Sequence, residues 1–340
     1  MEALRRESTM SGVLDTAILR FDPPRVLRHA HVQSLLGNWP VRDWLARRRA
    51  AALLATSTAE ILDCGDARLL GYYSPPPAEP KGLVVLLHGW EGSADSQYML
   101  SAGALAHDAG YGVFRLNFRD HGNTHALNEG LFHSCRLGEV ARAVAEAAAR
   151  HPARRLVLIG YSLGGNFALR VAAVAPRIGL PLDRVVAICP VLKPHGTMRA
   201  LERGLWIYRH YFLRRWRRSL RAKAAAFPRL YDFGRLERFR TLTETTAYFV
   251  ERYTEFRDLD AYLNGYSLTG GTLEGLVVPA RMIVADDDPV IPIADLDDVA
   301  RPPALEITRA PGGGHCGFVE DFFLGSWLDR QLRAELDAAG

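Results

Sequence analysis

The chain reads as an α/β protein, a mostly parallel sheet covered by helices on both faces with a mainly helical segment inserted between two late strands. Three observations predict this. Six short apolar runs recur along the chain, and the first four are separated by alanine-rich stretches. Continuous apolar strands alternating with helices are the pattern of a parallel sheet buried on both faces. The fourth and fifth runs are about 90 residues apart, far more than a crossover needs. Finally, the third run passes directly into Gly160-Tyr161-Ser162-Leu163-Gly164, so a G-x-S-x-G lies where a buried strand hands over to a helix.

Taken in order, residues 1–58 form an N-terminal extension. Met1-Glu2-Ala3-Leu4-Arg5-Arg6-Glu7 carries acidic residues and no apolar core before a small-residue cleavage site, which is not the pattern of a secretory signal. The alanine/arginine-biased tract at 45–55 reads as a surface helix. Residues 60–63 and 68–73, around Gly65-Asp66, read as an antiparallel hairpin, and Tyr73-Ser74-Pro75-Pro76-Pro77-Ala78-Glu79-Pro80 as a rigid connector. The parallel strands are then expected at 83–87, 112–117, 156–159, 185–188, 282–285 and 305–308, with helices over 98–109 and 137–150. The core therefore comprises 59–190 and 277–340, and the insertion 191–276.

The insertion carries the chain's basicity. Between Arg199 and Arg240 there are 13 Arg/Lys and 3 Asp/Glu, a local +10 against +4 for the whole chain, so the rest is net negative. Tyr208, Phe212, Trp216 and Leu220 recur every four residues, with Arg214, Arg215, Arg217, Arg218 and Arg221 between them. This predicts an amphipathic helix in a lid over the carboxyl ends of the strands, where open α/β sheets place ligands. Two readings of the arginines stay open. The 209–221 helix rests on an anionic membrane or steers an anionic lipid substrate, or its apolar stripe covers the pocket while its arginines are solvated or paired. No nucleic-acid recognition motif accompanies the charge, so no nucleic-acid partner is expected.

Composition sets the remaining bounds. With 48% hydrophobic and 24% charged residues, the 340-residue chain has an ordinary globular balance. Cys64, Cys135, Cys189 and Cys316 are scattered, with no C-x-x-C pair and no His/Cys cluster at metal-ligand spacing. Neither a disulfide framework nor a metal site is expected, and a reducing, cytoplasmic location is the simplest. No run approaches the roughly 18–20 apolar residues of a membrane span.

The chemistry centres on Ser162. A serine hydroxyl needs to be lifted clear of the backbone and met by a base, and a sharp strand-to-helix turn does the lifting. Side chains at Gly160 or Gly164 would collide with the neighbouring strand or helix. The strand at 282–285 runs into Asp286-Asp287-Asp288-Pro289, an acidic turn at a strand's carboxyl end. Asp288, immediately before the proline-fixed turn, is the candidate to orient a base, with Asp286 and Asp287 as hydrogen-bonding or solvated neighbours. A plain surface turn has the same composition. The last strand ends in Pro311-Gly312-Gly313-Gly314-His315-Cys316, a glycine-rich loop that brings His315, the candidate general base, over the serine. His121, His125 and His133, in the loops after the second parallel strand, are the rivals, or else they fix that region by hydrogen bonds. Upstream, the first parallel strand ends in His88-Gly89-Trp90. The backbone N–H groups of Trp90 and Leu163 are the candidate oxyanion donors, and His88 is read as structural.

Together these residues resemble the α/β-hydrolase superfamily and, more narrowly, its AB-hydrolase-4 (YheT-like) branch of esterases and lipases. The narrower likeness rests on Gly160-Tyr161-Ser162-Leu163-Gly164-Gly165-Asn166, Leu87-His88-Gly89 with Gly92-Ser93, and Asp287-Asp288-Pro289. It extends to Gly313-Gly314-His315-Cys316-Gly317-Phe318, Phe21-Asp22-Pro23-Pro24 and His31-Val32-Gln33-Ser34, and covers roughly residues 20–330. The resemblance implies an α/β-hydrolase fold with Ser162 as nucleophile, Asp288 as acid and His315 as base. The chain departs from it at Asp120, where many relatives carry glycine, and in its arginine-rich lid.

The expected activity is hydrolysis of carboxylic esters, small-molecule or lipid, through an acyl-enzyme, with no metal or organic cofactor. Acyl transfer to an alcohol or thiol with the same triad is the enzymatic alternative. A non-catalytic ligand-binding module on the hydrolase scaffold is the third, because fold does not prove activity.

Overall fold

A computed structural model of the chain describes residues 17–18, 20–37 and 39–338. The strands are β1 (Ala17–Ile18), β2 (Thr58–Asp63), β3 (Arg68–Ser74), β4 (Leu83–Leu87), β5 (Gly112–Leu116), β6 (Leu156–Tyr161), β7 (Arg184–Ile188), β8 (Ala280–Ala285) and β9 (Leu305–Ala310). They form one sheet in the order β1-β9-β8-β7-β6-β4-β5-β3-β2. The hairpin β2–β3 is antiparallel, β3 pairs antiparallel with β5, and every other pairing is parallel. The mostly parallel sheet predicted from the apolar runs is thus present, with strand bounds within a few residues of those expected.

Burial on both faces is why those runs are continuous rather than alternating. All of β4 is buried, yet its alternate side chains serve different cores. Leu83, Val85 and Leu87 pack on one side of the sheet with α5 (Leu137–Arg150) and α6 (Leu163–Val174). Val84 and Leu86 pack on the other with α4 (Gln97–Asp108) and α11 (Trp327–Ala338).

The N-terminal segment is built into this frame. β1 adds a parallel edge beside β9, and the Phe21 ring lies edge-on to both Phe318 and Trp327, 5.8 Å from each. The tract read as one surface helix is two, α2 (Pro40–Arg49) and α3 (Ala51–Ala55), and one face is buried at Ala46, Ala50 and Leu53. The reason lies on α4: a Cβ on Gly103 would stand 2.9 Å from Leu53 Cδ2, so the two helices close tightly there.

Between β7 and β8 lie α7 (Pro194–Arg203), α8 (Trp206–Ala226), α9 (Leu242–Tyr253) and α10 (Leu259–Asn264). On α8, Tyr208, Trp216 and Leu220 are buried and Phe212 is half-buried, the stripe read from the four-residue spacing. Arg214, Arg215 and Arg218 are exposed. Among the described residues, no helix is long and apolar enough to cross a membrane.

Candidate active site

Ser162 stands between β6 and α6 with φ 53° and ψ −116°, a left-handed backbone that a side chain seldom adopts. The turn is held by Ser162 N–H donating to Ile188 O at 2.8 Å and by Asn166 N–H donating to Ser162 O at 3.0 Å. Its flanking glycines have no room for anything larger. A Cβ on Gly160 would lie 2.1 Å from Gly164 O, and one on Gly164 would lie 2.3 Å from Leu87 O.

From this turn a hydrogen-bonded line runs through three side chains. Ser162 Oγ is 3.0 Å from His315 Nε2, and His315 Nδ1 is 2.9 Å from Asp288 Oδ2. The other Asp288 oxygen accepts from the N–H groups of Val290 and Ile291, at 2.8 and 3.0 Å, so the proline turn fixes this carboxylate. Burial favours the neutral His315 ring, but the Asp288 carboxylate, with the Cys316 thiol behind it, outweighs that and raises the imidazole to about 9.

The other two aspartates face elsewhere. Asp287 Oδ1 accepts from Gly314 N–H at 2.9 Å, tying the acidic turn to the histidine loop, and Asp286 pairs with Arg309 at 2.8 Å.

The histidine loop is also braced by α1 (Ala30–Leu36). Ser34 Oγ accepts from His315 N–H at 2.9 Å, while Gln33 donates to Val319 O and accepts from Val319 N–H. In the sequence these residues stand in the His31-Val32-Gln33-Ser34 stretch with no task of their own. Their partners lie some 280 residues away along the chain, so only the resemblance pointed to them.

Two of the rival histidines, His121 and His125, are engaged elsewhere. His121 Nε2 accepts from Glu91 N–H and its Nδ1 donates to Arg119 O; burial lowers it to about 4, which keeps it neutral. His125 meets Ser219 Oγ at 2.8 Å. His133 instead lines the cavity over Ser162; it is buried beside Arg136 and Glu255, and burial lowers it also to about 4. His88, wholly buried, bridges Phe118 N–H and Gly89 O.

Trp90 and Leu163 border the serine from two directions. A Cβ on Gly89 would be 3.3 Å from Ser162 Cβ, so the peptide leading into Trp90 runs alongside Ser162. Leu163 opens α6, and the first N–H groups of a helix lack intrahelical acceptors.

A cavity of about 580 Å³ opens over Ser162 and His315. Its walls include Phe132, Met198, Leu201, Phe212, Trp216, Phe249 and Tyr266, most of them from the inserted helices. Phe212 stacks on Trp90 at 5.4 Å, and Trp216 meets the same ring edge-on at 5.6 Å. The apolar stripe of α8 thus roofs the cavity by packing on Trp90, beside Ser162. Glu91 is one of the cavity's few acids, and burial raises its carboxyl to about 7.

A grouping that sequence spacing hid also lies here. Ligand atoms of Cys189, His315 and Cys316 fall within 4.8 Å of one another, because the end of β7 and the histidine loop converge behind the serine.

The sequence profile of a family described by the alpha/beta hydrolase fold matches residues 82–322. Over 324 residues the chain is 24% identical to "Putative esterase YheT" of Escherichia coli (strain K12), covering 92% of this chain and 91% of that one. Among solved structures, the esterase Pf2001 of Pyrococcus furiosus superposes with a TM-score of 0.54 at 14% identity, over 83% of this chain and 92% of that one. The serine hydrolase CCSP0084 of Cycloclasticus zankles gives 0.56 at 13%, over 83% and 98%. At such identities the solved structures speak to the fold.

Proposed function

This chain belongs to the alpha/beta hydrolase fold family, and from that premise we propose that it hydrolyses carboxylic esters by a serine acyl-enzyme route. The observation that carries the reading is the line Asp288–His315–Ser162, ending on a strained serine at the floor of an apolar cavity. In its neutral form His315 Nε2 takes the Ser162 proton as Oγ attacks the ester carbonyl. Asp288 holds the Nδ1–H and stabilises the imidazolium. The N–H groups of Trp90 and Leu163 meet the oxyanion, each such donor contributing about 2.7–4 kcal/mol. His315 then returns the proton to the departing alkoxide, and water repeats the cycle on the acyl-enzyme.

The cavity's aromatic walls suit an apolar acyl group, and its rim suits delivery from a lipid surface. Gly37, Pro40 and Asp43 line one side and Tyr211 and Arg215 the other. Their neighbours Trp39, Val41, Trp44, Leu205, Trp206 and Ile207 are exposed. The two sides are joined where His31 meets Tyr208 Oη at 2.9 Å. Exposed aromatic residues bordered by Arg214 and Arg218 match the interfacial zone of an anionic membrane.

A fluorophosphonate probe together with p-nitrophenyl esters from acetyl to palmitoyl tests the activity. Labelling at Ser162, lost in Ser162→Ala, with hydrolysis of the panel is the expected result. Labelling without hydrolysis would point to acyl transfer, and no labelling of the native protein would leave a binding module.

A further inference from the structure

We infer that Cys189, Cys316 and His315 form a binding site for a thiophilic divalent cation, zinc above all, and that its occupation switches the active site off. The three residues come from two converging segments. Cys189 directly follows β7, while His315 and Cys316 are consecutive on the glycine-rich loop. Both cysteines adopt left-handed backbone conformations, φ 43° and 56°, and both are free thiols.

Geometry and chemistry agree on the ligand. A tetrahedral zinc with bonds of about 2.0–2.3 Å holds its ligand atoms roughly 3.3–3.8 Å apart. The Sγ atoms and a ring nitrogen here lie within 4.8 Å of one another, so modest side-chain rotation completes a three-ligand face. Two sulfurs and one imidazole select zinc or cadmium over magnesium or calcium, which take hard oxygen ligands. His315 and Cys316 line the cavity, which gives the ion a path in, while Cys189 is buried behind them. Binding is a ligand exchange without redox change: each metal–sulfur bond forms as the thiol proton leaves to solvent, and the fourth position stays with water.

The consequence, which rests on the esterase reading, follows from what His315 must give up. A metal on Nε2 displaces Ser162 Oγ, and a metal on Nδ1 displaces Asp288 Oδ2. In the first case the serine proton has no acceptor, and in the second the imidazolium loses its partner. Either way the hydroxyl is no longer activated.

The test separates binding from activity. Cadmium chloride titrated into the native full-length chain should give one ion per chain by calorimetry, with a thiolate-to-cadmium charge-transfer band in the ultraviolet. Cys189→Ser and Cys316→Ser should each weaken that binding by roughly 10–100-fold or more, with circular dichroism confirming that each variant is folded. Zinc should inhibit p-nitrophenyl ester hydrolysis reversibly, with EDTA restoring it, and each variant, compared with its own metal-free rate, should resist. Native affinity in both folded variants, or binding without the thiolate band, overturns the site. Intact binding in a protein that hydrolyses no ester would leave the site standing and remove the functional reading instead.

Discussion

The ammonium of Lys223, on α8, lies 2.8 Å from Asp120 Oδ1 on the loop after β5, and neither side chain reaches solvent. Lys223 also donates to the backbone oxygens of Asn128 and Gly130, and Asp120 Oδ2 accepts from Phe132 N–H. One ion pair therefore fastens the inserted helices to the core beside the cavity. Asp120 holds φ 60°, a conformation that glycine adopts freely and aspartate tolerates, and its carboxylate is the partner of Lys223. Removing one charge of a buried pair leaves the other uncompensated, so Lys223→Met should cost about 3–5 kcal/mol. Asp120→Asn combined with Lys223→Met should recover much of that loss, measured by urea unfolding. An additive double variant would show the two side chains to be independent.

The three neighbouring aspartates separate by task. Asp288→Asn should lower kcat by about 10⁴-fold, because an amide in place of the carboxylate disfavours the tautomer that His315 needs. Asp287→Asn should cost far less, since its oxygen can still accept from Gly314 N–H. Asp286→Asn loses only a partly exposed pair with Arg309 and should leave the rate near native. Steady-state kinetics on one short-chain ester ranks them, and a loss at Asp287 exceeding that at Asp288 would contradict the assignment.

The pH profile follows from the raised His315. Only the neutral imidazole accepts the serine proton, so kcat/KM should fall as pH drops through the ring's value. That value is pushed up to about 9, hence activity should still be rising above neutrality. In Asp288→Asn the raising carboxylate is gone while burial, which favours the neutral ring, remains. The residual activity should then show its acid limb at lower pH than the native protein.

Salt tests the rim. Exposed charges are screened over about 8–10 Å at physiological ionic strength, so binding to vesicles of anionic lipid should weaken as salt rises. Arg214→Gln with Arg218→Gln should reduce it, as should Trp44→Ser with Trp206→Ser, while turnover of a small soluble ester is retained. Arg215 and Arg217 are poor choices here, because they donate to Glu91 O and Phe239 O and brace α8. Equal binding to neutral and anionic vesicles, read by co-sedimentation, would leave the arginines as a solvated face.

Local chemistry wrote much of this protein into its sequence. Strands buried on both faces must be apolar throughout, so their positions were readable to within a few residues; the four-residue stripe of α8 announced its buried side. Gly160 and Gly164 marked a turn too tight for side chains, and proline beside Asp288 marked another. Tertiary structure alone decided which distant groups meet. Asp120 and Lys223 are 103 positions apart, Ser34 and His315 are 281 apart, and Cys189 stands beside Cys316 only because β7 and the last loop end at the same edge of the sheet. Backbone propensity and hydrophobic periodicity act over a few residues, whereas such pairs depend on where a nine-stranded sheet brings its loops together.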